Sequence, residues 1–208
     1  MYNGCTKLKM TQANKITLVG FKQATLVNDI LDLITEDVIP AEILTPADFL
    51  NNKFEAGSKF IIAVYKDPTL RRQLIDKLDH DQLARATFVH KTAVVSRLAT
   101  IHPGTVISQF ANVMINATVE SDCHLAPYTM ISHNSRLGQG SVMLPGAMIA
   151  GTTQVGRDCR LNMRSTVIDF LTVADGVEIG ACSMLTKNAT EPGIYVGTPA
   201  RKRTAHEA

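Results

Sequence analysis

The sequence has little net charge. Its 208 residues set 21 Lys and Arg against 19 Asp and Glu, a formal balance of +2. No basic run concentrates that excess, which excludes a nucleic-acid backbone as an expected partner. Long apolar runs are missing too. No stretch approaches the roughly 20 residues of a membrane span. Residues 1–14 are polar and lack the apolar centre of a secretory leader, so a cytoplasmic setting is the default expectation. The four cysteines, Cys5, Cys123, Cys159 and Cys182, show no CxxC or CxxH spacing. That spacing excludes the common zinc and disulfide frameworks and leaves Cys123 and Cys159 as small buried residues.

What the sequence does have is a period of six. From Val89 every sixth residue is aliphatic or Met, through Ile107, Leu125, Ile131, Leu137, Met143 and Ile149 to Leu185, 17 positions without a miss. With about one residue in three aliphatic, chance produces such a run on the order of once in 10⁸ trials. Two residues before each anchor stands a small residue, among them Ala111, Cys123, Ser135, Ser141, Thr153 and Cys159; Leu171 and Val177 break this column and Ser183 restores it. Alternate strand residues share a face, so anchor and small residue both point inward, the small one at a tight corner. Neither a helix nor a plain alternating strand has a period of six. The pattern predicts a parallel β-helix of hexapeptide repeats, with three hexads per 18-residue coil. The 96 residues from 89 to 184 make about five coils, and residues 18 apart stack.

Residues 1–86 lack the hexad and read differently. Ile16–Val19 reads as a buried strand ending at Gly20, followed by a helical stretch over 26–34. Residues 60–64 read as a second strand and 70–78 as an amphipathic helix started by Asp67 and Pro68. Residues 41–50 fit a short strand with a Pro-started helical turn. Alternation of strand and helix predicts a small parallel α/β domain, Rossmann-like, of about three strands over 1–86, with the β-helix domain and its closing segment over 87–208. The turn after the first strand, Gly20, Phe21 and Lys22, has one glycine where a nucleotide-binding turn usually has several. It reads equally as a packing turn.

The whole pattern resembles the hexapeptide-repeat sugar acyltransferases, in the branch of nucleotide-amino-sugar N-acetyltransferases and sialic acid O-acetyltransferases. The resemblance spans nearly the whole chain. It is carried by the α/β segment, the repeats, the element Ile131-Ser132-His133-Asn134 in register, and the closing Gly197-Thr198-Pro199-Ala200-Arg201. It implies a left-handed coil, which departs from the usual right-handed crossover. It also implies a homotrimer, with acetyl-CoA between adjacent β-helices and the amino-sugar nucleotide held partly at Gly20, Phe21 and Lys22. His133 matches the catalytic position; two residues after the anchor Ile131, it falls on a corner, where an imidazole can act as general base without a covalent nucleophile. One coil on stands Gly151, which the resemblance makes the backbone N–H donor to the thioester oxygen and a close-approach point for ligand. Val142, Met163, Ala181 and Gly151 match CoA contacts. Asn134 stands where related N-acetyltransferases often carry Glu, Val142 where some carry His, and Tyr65 where a Gly is frequent.

Three other readings fit parts of the pattern. One is O-acetyl transfer to a sugar hydroxyl such as that of sialic acid. Another is a non-catalytic β-helix scaffold, in which His133 is a surface residue and Gly151 a turn glycine. The third, carbonic-anhydrase-like chemistry, requires histidines converging on a metal, and no histidine follows His133 in the repeats. No metal cofactor is expected.

Overall fold

The computed structural model describes residues 16–21, 42–54 and 57–204. The helix expected over 26–34 lies outside them, as do Cys5 and Lys22.

Among the described residues the N-terminal part is a parallel sheet with two helices. Strands β1 (Ile16–Val19), β2 (Glu42–Leu44), β3 (Lys59–Ile62) and β4 (Ala84–Arg85) pair in the order β2-β1-β3-β4. Among the described residues the expected three or so strands become four, because residues 84–85 add to the edge of β3, a pairing too short to carry a hydrophobic pattern. Helix α1 (Pro46–Asn51) follows the cap Thr45, and α2 (Pro68–His80) follows Asp67, whose carboxylate accepts from Leu70 N–H at 2.9 Å. Both begin with proline, whose missing N–H costs nothing at a helix start. Strand alternation divides the side chains between two interiors. Val19, Phe60, Ile62 and Val64 pack with Phe49, Leu74, Ile75 and Leu78 of the helices. Leu18, Ile61 and Ala63 point the other way, onto Ala86 and Val106.

From residue 88 the chain winds a three-faced parallel solenoid. Face 1 stacks β5 (Phe88–Val89), β8 (Val106–Ile107), β11 (His124–Leu125), β14 (Val142–Met143), β17 (Arg160–Leu161) and β20 (Val177–Ile179). Face 2 stacks β6 (Val94–Val95), β9 (Asn112–Val113), β12 (Met130–Ile131), β15 (Met148–Ile149), β18 (Thr166–Val167) and β21 (Met184–Leu185). Face 3 stacks β7 (Thr100–Ile101), β10 (Thr118–Val119), β13 (Arg136–Leu137), β16 (Gln154–Val155) and β19 (Thr172–Val173). Partners stand one coil of three hexads apart, as in Leu125↔Met143 and Ile131↔Ile149. Six rungs on two faces and five on the third make nearly six coils, rather than the expected five, because the strands begin at Phe88 and run through Leu185. Face 1 closes with β22 (Gly193–Gly197), parallel to β20, and β23 (Ala200–Lys202), antiparallel to β22.

Both inward columns behave as the period predicts. The anchors from Ile107 to Leu185 are at most 2% exposed. Each contributes roughly 1.5–3 kcal/mol by leaving water. The small residues do more than fit the corner, since their hydroxyls and thiols bond to the carbonyl 15 residues on: Ser135 to Ala150 at 2.7 Å, Ser141 to Gly156 at 3.0 Å, Thr153 to Ile168 at 2.9 Å, Cys159 to Ala174 at 3.2 Å. Cys123 and Cys159 are buried, and burial pushes their thiols up to about 12 and about 11. The second corner residue recurs in the left-handed region, as at Phe110, Asn116, Asp122, Tyr128 and Asn134.

The two parts are joined at face 1 and at its edge with face 3. Arg71 of α2 is 4% exposed; its guanidinium donates to Ile62 O (3.2 Å) and Val64 O (2.7 Å) on one side of the seam. On the other side it donates to Gly140 O (2.9 Å) and Asp122 O. Arg85 binds the Asp122 carboxylate at 2.9 Å and Arg72 lies 3.5 Å from that of Asp158. On this edge Asp alternates with Gly, and the Asp122 carboxylate fills the space a side chain on Gly104 would need.

His124 lies beneath this seam, 5% exposed, with neither ring nitrogen hydrogen-bonded among the described residues. Burial, reinforced by the Arg71 charge, pushes its pKa down to about 3. The folded protein thus disfavours the imidazolium. The stabilisation is complete above the unfolded-state value of about 6.5 and is lost below it, by up to about 1.4 kcal/mol per pH unit. His124→Leu removes two unpaired polar atoms without breaking a bond. In thermal melts between pH 7 and pH 4.5, we expect it to match or exceed the wild type at pH 7 and to lose less stability on acidification. Equal acid sensitivity in the two proteins counts against this role for His124.

Candidate active site

His133 follows β12 and occupies the corner between faces 2 and 3, where the chain turns through Asn134 at φ +57°. It is exposed. Thr152 N–H donates to His133 O at 2.9 Å, which sets Gly151 over His133 by one rung. A Cβ on Gly151 would lie 2.6 Å from Cε1 and 2.7 Å from Nε2 of the imidazole. The space left by the missing side chain is therefore taken by the His133 ring. The bare backbone of Gly151 thus gives the imidazole its seat. Among the described residues the stacking bonds use Ala150 N–H and Thr152 N–H and pass over that of Gly151.

Asn134 Nδ2 lies 3.2 Å from His133 Nδ1, and Asn116 Nδ2 lies 3.1 Å from Asn134 Oδ1. This amide chain has two orientations of the same shape. With Asn134 donating, the Nδ1 lone pair is occupied and the ring proton sits on Nε2. With both amides turned, Asn134 Oδ1 accepts from Nδ1–H and leaves the Nε2 lone pair free. Only the second presents a base at Nε2. Asn116 was not singled out from sequence, although it stands one coil before Asn134 and the coil arithmetic points to it.

The remaining candidates fall in three places. Met163 and Ala181 stack at the corner between faces 1 and 2, with Cys182 N–H donating to Met163 O at 2.9 Å. They stand across face 2 from His133 and Gly151. Val142 lies apart from them on face 1, 3% exposed among residues of the seam. It stands half a coil after His133, and half a coil carries the chain from a corner to the opposite face. Gly20 and Phe21 lie at the carboxyl end of β1, far in sequence from the coil, Gly20 buried and Phe21 52% exposed. There the sheet order reverses between β1 and β3, the switch point where open parallel sheets form ligand crevices. Tyr65, just beyond β3, accepts from Arg160 Nη1 through its carbonyl at 2.6 Å, and its ring lies 5.9 Å from that guanidinium. Among the described residues no group of three His, Cys, Asp or Glu could hold a metal, and no helix is long and apolar enough to cross a membrane.

Among the described residues, face 2 exposes an apolar band between the two corners: Val94 is 62%, Met148 41% and Met184 38% exposed. A single chain thus holds two sets of candidate residues on opposite edges of one bare face.

Comparison with solved structures identifies the architecture. The crystal structure of PerB from Caulobacter crescentus in complex with CoA and GDP-perosamine matches with a TM-score of 0.81 at 18% identity, over 92% of this chain and 98% of that one. The acetyltransferase domain of PglB from Neisseria gonorrhoeae FA1090 gives 0.81 at 19% identity, over 91% and 99%. The fold is that of the hexapeptide-repeat sugar acyltransferases. Among curated proteins, a UDP-3-O-acylglucosamine N-acyltransferase of Albidiferax ferrireducens is 29% identical over 109 residues, 50% of this chain. The chain spans only 33% of that relative's length. No protein-family profile matches.

Gly151→Ala tests the seat. The imidazole must retreat by roughly 1 Å to restore an ordinary contact, while the rungs above and below keep their register. A crystal structure of the variant with the ring unmoved would show that Gly151 does not set its position.

Proposed function

We propose that this chain is an acetyl-CoA-dependent N-acetyltransferase whose acceptor is an amino sugar carried on a nucleotide. The observation that carries the reading is the imidazole of His133 seated on Gly151, at the rim of a bare apolar face. The fold likeness to a sugar N-acetyltransferase crystallised with CoA and GDP-perosamine supports it, as does the local similarity to UDP-3-O-acylglucosamine N-acyltransferases. A left-handed coil and the division at residues 86 and 87 belong to the same reading.

In this mechanism the acceptor amine attacks the thioester carbonyl directly. His133 Nε2 takes the proton, with Asn134 turned so that its Oδ1 receives Nδ1–H and holds the tautomer. A neutral amide orients the ring but supplies no charge to the imidazolium. Gly151 N–H, unused by the ladder, stabilises the oxyanion in the tetrahedral intermediate, whose collapse breaks the C–S bond and releases CoA as the thiolate, to which His133 passes the proton. The donor groove forms between copies of the chain: packing face 2 against other copies in a homotrimer buries the Met-rich band. It also brings the Met163 and Ala181 corner of one copy to the His133 corner of the next. The acceptor nucleotide binds at the carboxyl end of β1, with Gly20, Phe21 and Lys22.

A sugar hydroxyl as acceptor is the second reading, and Tyr65 favours it, since a bulky residue tied to Arg160 stands at the β3 exit of the switch-point crevice. Acetylation assays with UDP-, dTDP- and GDP-linked amino sugars beside free sialic acid separate the two. With the accepted substrate, His133→Ala is expected to lower kcat by roughly 10²–10⁴-fold without unfolding the solenoid. Wild-type turnover in that variant removes the base from the mechanism.

A further inference from the structure

Phe170 is the most exposed of the large hydrophobic residues described, at 73%. It also has φ +61°, a left-handed conformation that asparagine and glycine adopt readily and bulky residues rarely do. Phe110 and Tyr128 share that conformation, but their rings stack on one another at 5.1 Å. Among the described residues Phe170 has no such ring partner. Its place accounts for both features. Phe170 N–H donates to Gly151 O at 3.1 Å, so Asp169 and Phe170 form the corner one rung above Gly151 and two above His133. The same coil carries Met163, 53% exposed, at the other edge of face 2.

We propose that Phe170 is a donor-binding residue that holds the pantetheine arm of the acyl thioester. The inference rests on the acetyltransferase reading above. With the carbonyl oxygen at Gly151 N–H and the amine entering beside His133, the sulfur leaves on the side away from the amine, up the corner. Two rungs place the Phe170 backbone roughly 10 Å above that of His133 and one rung beyond Gly151, where the imidazole sits, on the arm's side of the reacting carbon. In the assembly the neighbouring copy's Met163 lies at that height, and the two apolar side chains close on the arm from either side.

The test is steady-state kinetics of full-length Phe170→Ala, Phe170→Asn and Phe170→Tyr with acetyl-CoA and with acetylpantetheine, beside thermal melts and size exclusion. Loss of an aromatic contact is expected to raise KM for both donors by on the order of tenfold, with kcat within about twofold. Tyr is expected to keep the wild-type KM. Asn, at ease in the left-handed corner, is expected to melt no lower than wild type while showing the raised KM, a split that a structural role does not produce. Three results overturn the assignment: unchanged KM in an active enzyme, an effect confined to acetyl-CoA, or loss of assembly as the only change. A wild-type protein that neither binds CoA nor transfers acetyl sinks the acetyltransferase reading and this inference together.

Discussion

The stacking of each coil on the one below governs the rest of this structure. A two-residue strand has no independent stability, and the rungs here persist because every inward anchor packs on the anchors one coil before and one coil after it. The corners convert that packing into geometry. A small inward residue before the anchor and a left-handed residue after it bend the chain at fixed intervals, so each outward side chain acquires a height and an edge. Insertion of a single residue would move every later side chain off its column.

The candidate site is a product of that grid. His133 is held by its corner, by the amide chain through Asn134 to Asn116, and by the bare backbone of Gly151 against its ring. None of these contacts is strong alone; together they leave the imidazole little room. The opposite edge of face 2 carries Met163 and Ala181, and the exposed band between the edges gives the chain reason to meet copies of itself. Catalysis in this reading belongs to the assembly.

The N-terminal sheet is attached by a different kind of force. Arg71 directs a fully desolvated guanidinium at four carbonyls, two from its own sheet and two from the solenoid. Removing such a group leaves several buried acceptors unpaired, which makes the seam costly to open. The orphaned ring of His124 beneath it adds a polar group that gains nothing from burial. The same seam covers Val142.

The sequence by itself determined the solenoid, its register and the corner position of His133, because a core one side chain wide forces the chain to repeat its hydrophobic anchor every six residues. It also determined the pairing of His133 with Gly151, since one full coil separates them whatever lies between. Tertiary structure decided the rest. The short β4 pairing, the Arg71 clasp across 51 to 69 residues and the burial of His124 and Val142 all depend on which solenoid face the sheet covers. That choice arises from contacts between segments with no common period. The imidazole's occupation of the space over Gly151 was likewise invisible in one dimension, because a glycine records only that a side chain is absent and not what fills its place.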